Sequence, residues 1–227
     1  MEDPILKTVN VTKIYNQGKQ NEVVPVRNAS LTVEKGTAVV LQGPSGSGKT
    51  TLLSMIGCQI KPTYGEIVVK GKQVSKLPEK FANLHKREHI GFVFQQFHLI
   101  SDLSVLDNII LPLLPSGIPP GERKCRAEEL LEEFELMPRK QFKVKDLSGG
   151  EQQRVAICRS LINGCSLLLA DEPTAHLDGQ LTIEFLKYMT HLKEKGYTIL
   201  IASHDPAVFK NGMVDRIIEM NSGEIVS

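Results

Sequence analysis

The chain has 227 residues, 41% hydrophobic and 23% charged, with 27 basic and 26 acidic side chains and a formal net charge of +1. An ordinary apolar fraction with so little net charge excludes a disordered chain, and it argues against a protein whose main work is gripping nucleic acid. This length makes one large or two small domains with enough chain to bury a core.

The longest apolar runs, such as Ser166–Ala170, fall far short of the roughly 20 residues that a membrane-spanning helix needs. Met1–Pro4 opens no basic-then-apolar leader, so a cytoplasmic chain is expected. The four cysteines show no CxxC spacing and read as reduced, buried or half-buried thiols. The six histidines lack any metal-binding spacing.

The predicted elements begin with β-branched runs at Ile5–Val11, Val23–Val33 and Thr37–Gln42. A helix over Gly48–Ile60 follows, then strands at Glu66–Lys70 and Ile90–Phe94. From about Phe97 to Asn163 no strand is predicted. There a proline- and glycine-rich connector, Leu111–Gly121, cannot be regular helix throughout. Helices are expected over Glu122–Leu136, where Ala127, Leu130, Leu131 and Phe134 recur at helical spacing, and over about Gly150–Ile162. Strands at Ser166–Ala170, Tyr197–Ala202 and Arg216–Met220, a helix over Asp178–Glu194 and a hairpin around Asn221-Ser222-Gly223 complete the chain. Runs that are apolar on consecutive residues fit strands buried on both faces of a parallel sheet. Strand–helix–strand order then gives an α/β fold carrying an inserted helical unit.

Gly43-Pro44-Ser45-Gly46-Ser47-Gly48-Lys49-Thr50 satisfies GxxxxGK[ST] between the strand Ala38–Leu41 and a helix. A turn with bare glycines lets successive backbone N–H groups close around phosphate oxygens, and the positive end of the following helix adds to the attraction. Lys49 is placed to reach the β- and γ-phosphates, the Thr50 hydroxyl to ligate Mg²⁺, and Thr51 to bond a further phosphate. A second apolar strand delivers Asp171 and Glu172 at its C-terminal end, where parallel-sheet ligands gather. Asp171 suits the Mg²⁺ shell through water, and Glu172 suits a general base that polarises an attacking water. Ser148, Gly149 and Gly150 offer a hydroxyl and bare backbone at a helix start, another place for an anion.

Leu147-Ser148-Gly149-Gly150-Glu151-Gln152-Gln153-Arg154, following that cradle, resembles the signature segment of ATP-binding-cassette ATPases. The resemblance covers essentially the whole chain. It implies one cassette domain with a P-loop NTPase core: residues 1–95 and 164–227 form a mixed, mainly parallel sheet with an N-terminal antiparallel β region, and 96–163 an α-helical subdomain. It also implies roles. Tyr15 matches the adenine-stacking aromatic, with simple packing on the sheet as the alternative. Gln95, taken before its neighbour Gln96, matches the glutamine that touches Mg²⁺ and the attacking water. His204 matches the switch histidine, and Ala175–Asp178 the loop that contributes Asp178. His176 departs from the small residue common in that loop, and Cys158 and Ser160 stand where alanines are common.

In the resembled family Ser148, Gly149, Gly150 and Glu151 serve the partner's ATP, so two chains sandwich two MgATP head to tail. Phe94–Asn108 and the residues around Leu147–Ile157 resemble the LolD/MacB/FtsE group. That group implies an ATPase peripheral on the cytoplasmic face of the inner membrane. It pairs with itself or a homologous subunit and drives a membrane permease for lipoprotein release or export of macrolides or peptides, with no nucleic-acid partner. A mechano-transmitter acting on a periplasmic process and a non-transport ATPase built on the same cassette are the competing readings.

Overall fold

Residues 3–175 and 177–226 are described by the computed structural model, and His176 lies outside the described residues. Their strands fall into two sheets. β1 (Leu6–Tyr15), β2 (Val23–Val33), β4 (Tyr64–Val69) and β5 (Lys72–Gln73) form an antiparallel sheet in the order β2-β1-β4-β5. A six-stranded sheet runs β10-β9-β3-β8-β7-β6. Its members are β3 (Ala38–Gln42), β6 (Ile90–Val93), β7 (Leu167–Asp171), β8 (Thr198–Ser203), β9 (Arg216–Asn221) and β10 (Glu224–Ile225). All its pairings are parallel except β9 with β10.

The consecutive apolar residues of this sheet divide by strand alternation. Leu168, Ala170, Ile199 and Ile201 face one core. Leu167, Leu169, Leu200 and Ala202 face the other. The first core is closed by α3 (Val105–Ile110), α4 (Pro120–Glu133), α5 (Gly149–Leu161) and α6 (Gly179–Glu194). The second is closed by α1 (Lys49–Ile56) and the antiparallel sheet. Between Val93 and Leu167 the described residues contribute no strand to either sheet. Among the described residues, no helix is long and apolar enough to cross a membrane.

Several boundaries differ from the sequence reading. α1 stops at Ile56, not Ile60, because Gly57 caps it and Cys58 turns to φ 53. β6 ends at Val93, so Phe94 separates Gln95 from the strand and Gln95 does not directly follow it. α4 starts at Pro120, a favoured first-turn position for proline, and ends at Glu133. The connector Leu111–Ser116 is a 3-10 helix. Three α-helices were not anticipated, one of them the four-residue α7 (Pro206–Phe209). α2 (Glu79–His89) buries only Ala82 and His85, too few for a periodic stripe. α3 has six residues, capped by Ser104 accepting from the Asp107 N–H. Cys125 is exposed, whereas Cys158 and Cys165 are buried. The hairpin forms as expected, with Ser222 and Gly223 both at positive φ between the paired Asn221 and Glu224.

Phe134 lies fully buried in the first core, its ring centroid 5.1 Å from that of Tyr188. Phe134→Ala should cost about 3–5 kcal/mol in urea unfolding, whereas Leu84→Ala on the exposed face of α2 should cost less than about 0.5 kcal/mol.

Candidate functional site

The loop after β3 is held from two sides. A Cβ on Gly43 would sit 2.1 Å from the Met220 carbonyl oxygen, and one on Gly48, at φ 102, would sit 2.1 Å from that of Pro25. Only glycine fits either place. The Gly223 N–H donates to the Ser47 carbonyl at 3.0 Å, and the Arg27 N–H to the Gly223 carbonyl at 2.8 Å. The C-terminal hairpin thereby ties the loop to β2.

A cavity of about 300 Å³ opens over this loop. It brings together Ser45, Gly46, Ser47, Gly48, Lys49, Thr50 and Thr51 with Gln95, Glu172 and His204. Gly43 and Pro44 stand behind it and aim their carbonyls at the Lys49 ammonium, at 2.8 and 3.0 Å. Glu172 Oε1 lies 3.3 Å from the same nitrogen, and the two side chains are only 4% and 13% exposed. Glu172 adopts φ 44, a costly conformation for a non-glycine residue. That turn carries its carboxylate off the end of β7 toward Lys49 and toward His204, whose Nδ1 is 2.9 Å from Oε2. Asp171 lies beneath, its Oδ1 accepting from the Thr50 hydroxyl at 2.9 Å. Burial raises the Asp171 carboxyl above its ordinary range, against the lowering effect of the Thr50 bond.

The donor set suits a polyphosphate with a divalent cation. Ser47 Oγ is buried with no hydrogen-bond partner among the described residues, an orphan that a phosphate oxygen would satisfy. A buried carboxylate whose charge is disfavoured, hydrogen-bonded to a hydroxyl, is the kind of oxygen set a hard cation takes.

The remaining expected residues lie off this cavity. Tyr15 ends β1, 41% exposed, with the Lys13 ammonium 5.0 Å from its ring centroid. Asp178 caps α6, accepting from the Leu181 N–H at 2.9 Å. Ser148, Gly149, Gly150 and Glu151 open α5 as a capping box: the Glu151 carboxylate accepts from the Ser148 N–H at 2.8 Å and from its hydroxyl at 2.9 Å. None of these four lines the cavity.

Two arginines escaped the sequence reading. Arg139 Nε donates to Glu151 Oε1 at 2.7 Å. Arg159, on the last turn of α5, donates through Nη1 to the His98 carbonyl at 2.6 Å and through Nη2 to that of Phe97, in the loop that carries Gln95. No local spacing signals either, because each reaches a segment distant in the chain.

Comparison with known proteins gives consistent matches. The model of the ABC transporter family matches residues 26–175. The chain is 40% identical over 227 residues to the macrolide export ATP-binding/permease protein MacB 1 of Aeromonas hydrophila subsp. hydrophila, covering 100% of this chain and 35% of that protein. It is 41% identical over 223 residues to MacB of Salmonella paratyphi A, covering 98% and 34%. The chain thus spans about a third of the length of these relatives. A solved dimeric structure of a post-hydrolysis state of the ATP-binding cassette MJ0796, bound to ADP and Pi, matches with a TM-score of 0.88 and 38% identity, covering 98% of this chain and 97% of that one.

The Glu151 contacts have a consequence for acid stability. Chiefly the Arg139 hydrogen bond, and then those from Ser148, hold its carboxyl at about 2 against an ordinary 4.5. Its stabilising contribution is therefore fully present above pH 4.5 and lost as pH falls through about 2. Urea unfolding across that window should show a loss on the order of 2 kcal/mol that Glu151→Gln lacks.

Proposed function

This chain belongs to the ABC transporter family as an ATP-hydrolysing cassette, and on that premise we propose that it drives a membrane permease by closing and opening head to tail on ATP with a second cassette. One observation carries the reading. Lys49, Thr50, Gln95, Glu172 and His204 share a cavity that Ser148–Glu151 do not reach. One chain therefore holds half of a phosphate site, and its signature end is left to serve another copy.

In this reading the N–H groups of residues 43–51 and the Lys49 ammonium receive the β- and γ-phosphates, and Tyr15 stacks on the adenine. Mg²⁺ would be held by Thr50, by Gln95 and through water by Asp171; when bound it neutralises charge on the phosphate oxygens. Glu172 takes the proton of the attacking water as the water oxygen bonds to the γ-phosphorus and the bond to the ADP oxygen breaks. His204, bonded to Glu172 at 2.9 Å, orients that carboxylate. Asp178, by capping α6, sets the loop that faces the partner. Residues 96–163 act as the helical subdomain that presents the signature end, and the rest as the nucleotide-binding core.

The likeness to proteins named as macrolide export ATP-binding/permease proteins supports an export permease as the membrane partner. A lipoprotein-releasing permease and a place on the cytoplasmic face of the inner membrane belong to the same reading on the resemblance of Phe94–Asn108 and Leu147–Ile157 alone. Sequencing the membrane protein that co-purifies with the chain tests this part.

Glu172→Gln should lower turnover by about 10²-fold or more and hold the protein as a dimer when ATP is present, seen in sedimentation. Undiminished turnover would remove Glu172 from its role. Lys49→Ala should weaken nucleotide binding itself by about tenfold or more, read by calorimetry.

A further inference from the structure

The start of α5 presents a contradiction as an anion site. Its Ser148 N–H and hydroxyl are the groups a phosphate would use, yet both donate to the chain's own Glu151 carboxylate, at 2.8 and 2.9 Å. Glu151 is only 17% exposed. A carboxylate fixed at this place offers a second negative charge to an arriving phosphate, and like charges at close range in a partly dry interface repel strongly.

Arg139 resolves the contradiction. It ends the short 3-10 turn Met137–Arg139 that follows α4, and its Nε meets the other carboxylate oxygen, Oε1, at 2.7 Å. Its guanidinium carbon lies 4.9 Å from the centre of the Phe142 ring, a cation–π placement that fixes the head group. Glu151 is thereby paired on one oxygen by a charge from a different segment, while the other oxygen holds Ser148. Side-chain exposure of Arg139 is 44%. At that exposure the guanidinium keeps part of its surface toward solvent, so whatever the pair adds to folding, its charge also stands where an arriving phosphate would meet Glu151.

We propose that Arg139 is a positioning residue for ATP bound by the second copy: it neutralises Glu151 and keeps that carboxylate in place, so that the Ser148 hydroxyl can exchange its carboxylate acceptor for the γ-phosphate. The inference rests on the dimeric reading above and deepens it, naming an ion pair that makes a glutamate compatible with a phosphate-receiving turn. It also sets a specific demand: the arginine is needed because Glu151 is charged, and not otherwise.

Charge removal on both sides tests this demand. Full-length Glu172→Gln protein is titrated with MgATP and its dimer followed by sedimentation. ADP binding to the monomer is followed in parallel by fluorescence, and melting by circular dichroism. In that background Arg139→Ala should raise the ATP concentration for half-maximal dimer by about tenfold, converting one charge-assisted bond into a fold-change. ADP affinity, which depends on the protomer's own cradle, should stay within about twofold. Adding Glu151→Gln to Arg139→Ala should restore dimer formation to within about threefold of the parent. Arg139→Lys, which keeps the charge, should fall between the parent and the alanine variant. The proposal is overturned if Arg139→Ala dimerises like its parent. It is overturned equally if the double variant is no better than the single one, or if both lose melting temperature and ADP binding together. If Glu172→Gln alone fails to dimerise on ATP, the dimeric reading falls and this inference with it.

Discussion

At 4% exposure the Lys49 side chain has no water to solvate its charge, so the surrounding loop must supply oxygens. The Gly43 and Pro44 carbonyls do so at 2.8 and 3.0 Å, and Glu172 adds a carboxylate at 3.3 Å. Aiming two successive carbonyls inward forces the loop against its neighbours. Gly43 touches β9 at Met220, and Gly48 passes Pro25 of β2 with a left-handed backbone. The order of the large sheet follows the same demand, since β9 and β8 flank β3 and bring Met220 and His204 to one rim. Solvating one buried cation thus fixes a loop, two glycines and the relation between both sheets.

The two regions proposed to face phosphate share a physical state. At the cradle Glu172 occupies Lys49, and at the start of α5 Glu151 occupies Ser148. Each cationic or donor group is satisfied by an internal carboxylate. On the proposed reading nucleotide binding is an exchange of partners and not the filling of an empty charged hole, which keeps the resting protein free of uncompensated buried charge. The exchange at Lys49 carries a second effect. A phosphate that takes over the ammonium releases Glu172 Oε1, while Oε2 stays with His204, leaving an oriented carboxylate beside the new phosphate.

What the sequence disclosed follows from how locally each signal is encoded. Leu167–Ala170 reads as a doubly buried strand because alternate residues must enter separate cores, and both cores are apolar there. Gly43–Thr50 is legible because glycines, a lysine and a hydroxyl must occur within one turn for phosphate chemistry. α2 was missed because a helix that buries only Ala82 and His85 carries almost no apolar period. α3 was missed because it is held by polar contacts: buried Asn108 accepts from the Ile100 N–H at 2.8 Å and donates to the Ile100 and Ser104 carbonyls at 3.0 Å each. Arg139 and Arg159 were invisible for a third reason. Their partners, Glu151 and the Phe97 and His98 carbonyls, come near only through tertiary packing.

Those long-range contacts make α5 the shared part of the machine. Thirteen helical residues extend about 20 Å, from Ser148 at one end to Arg159 near the other. Along its length Gln153 donates to the Pro173 carbonyl at 3.0 Å, next to Glu172. Arg159 grips the loop after β6 that carries Gln95. An α-helix packed in a dense core moves as a body and does not stretch. The Gln153 and Arg159 side chains thus join this one helix to both the Glu172 turn and the Gln95 loop of the same chain. In the proposed dimer the Ser148 end belongs to the neighbour's ATP, whereas Glu172 and Gln95 belong to the chain's own. One helix is then the covalent link between two nucleotide sites, and it is the pairing of Arg139 with Glu151 that lets the far end of that link accept an anion.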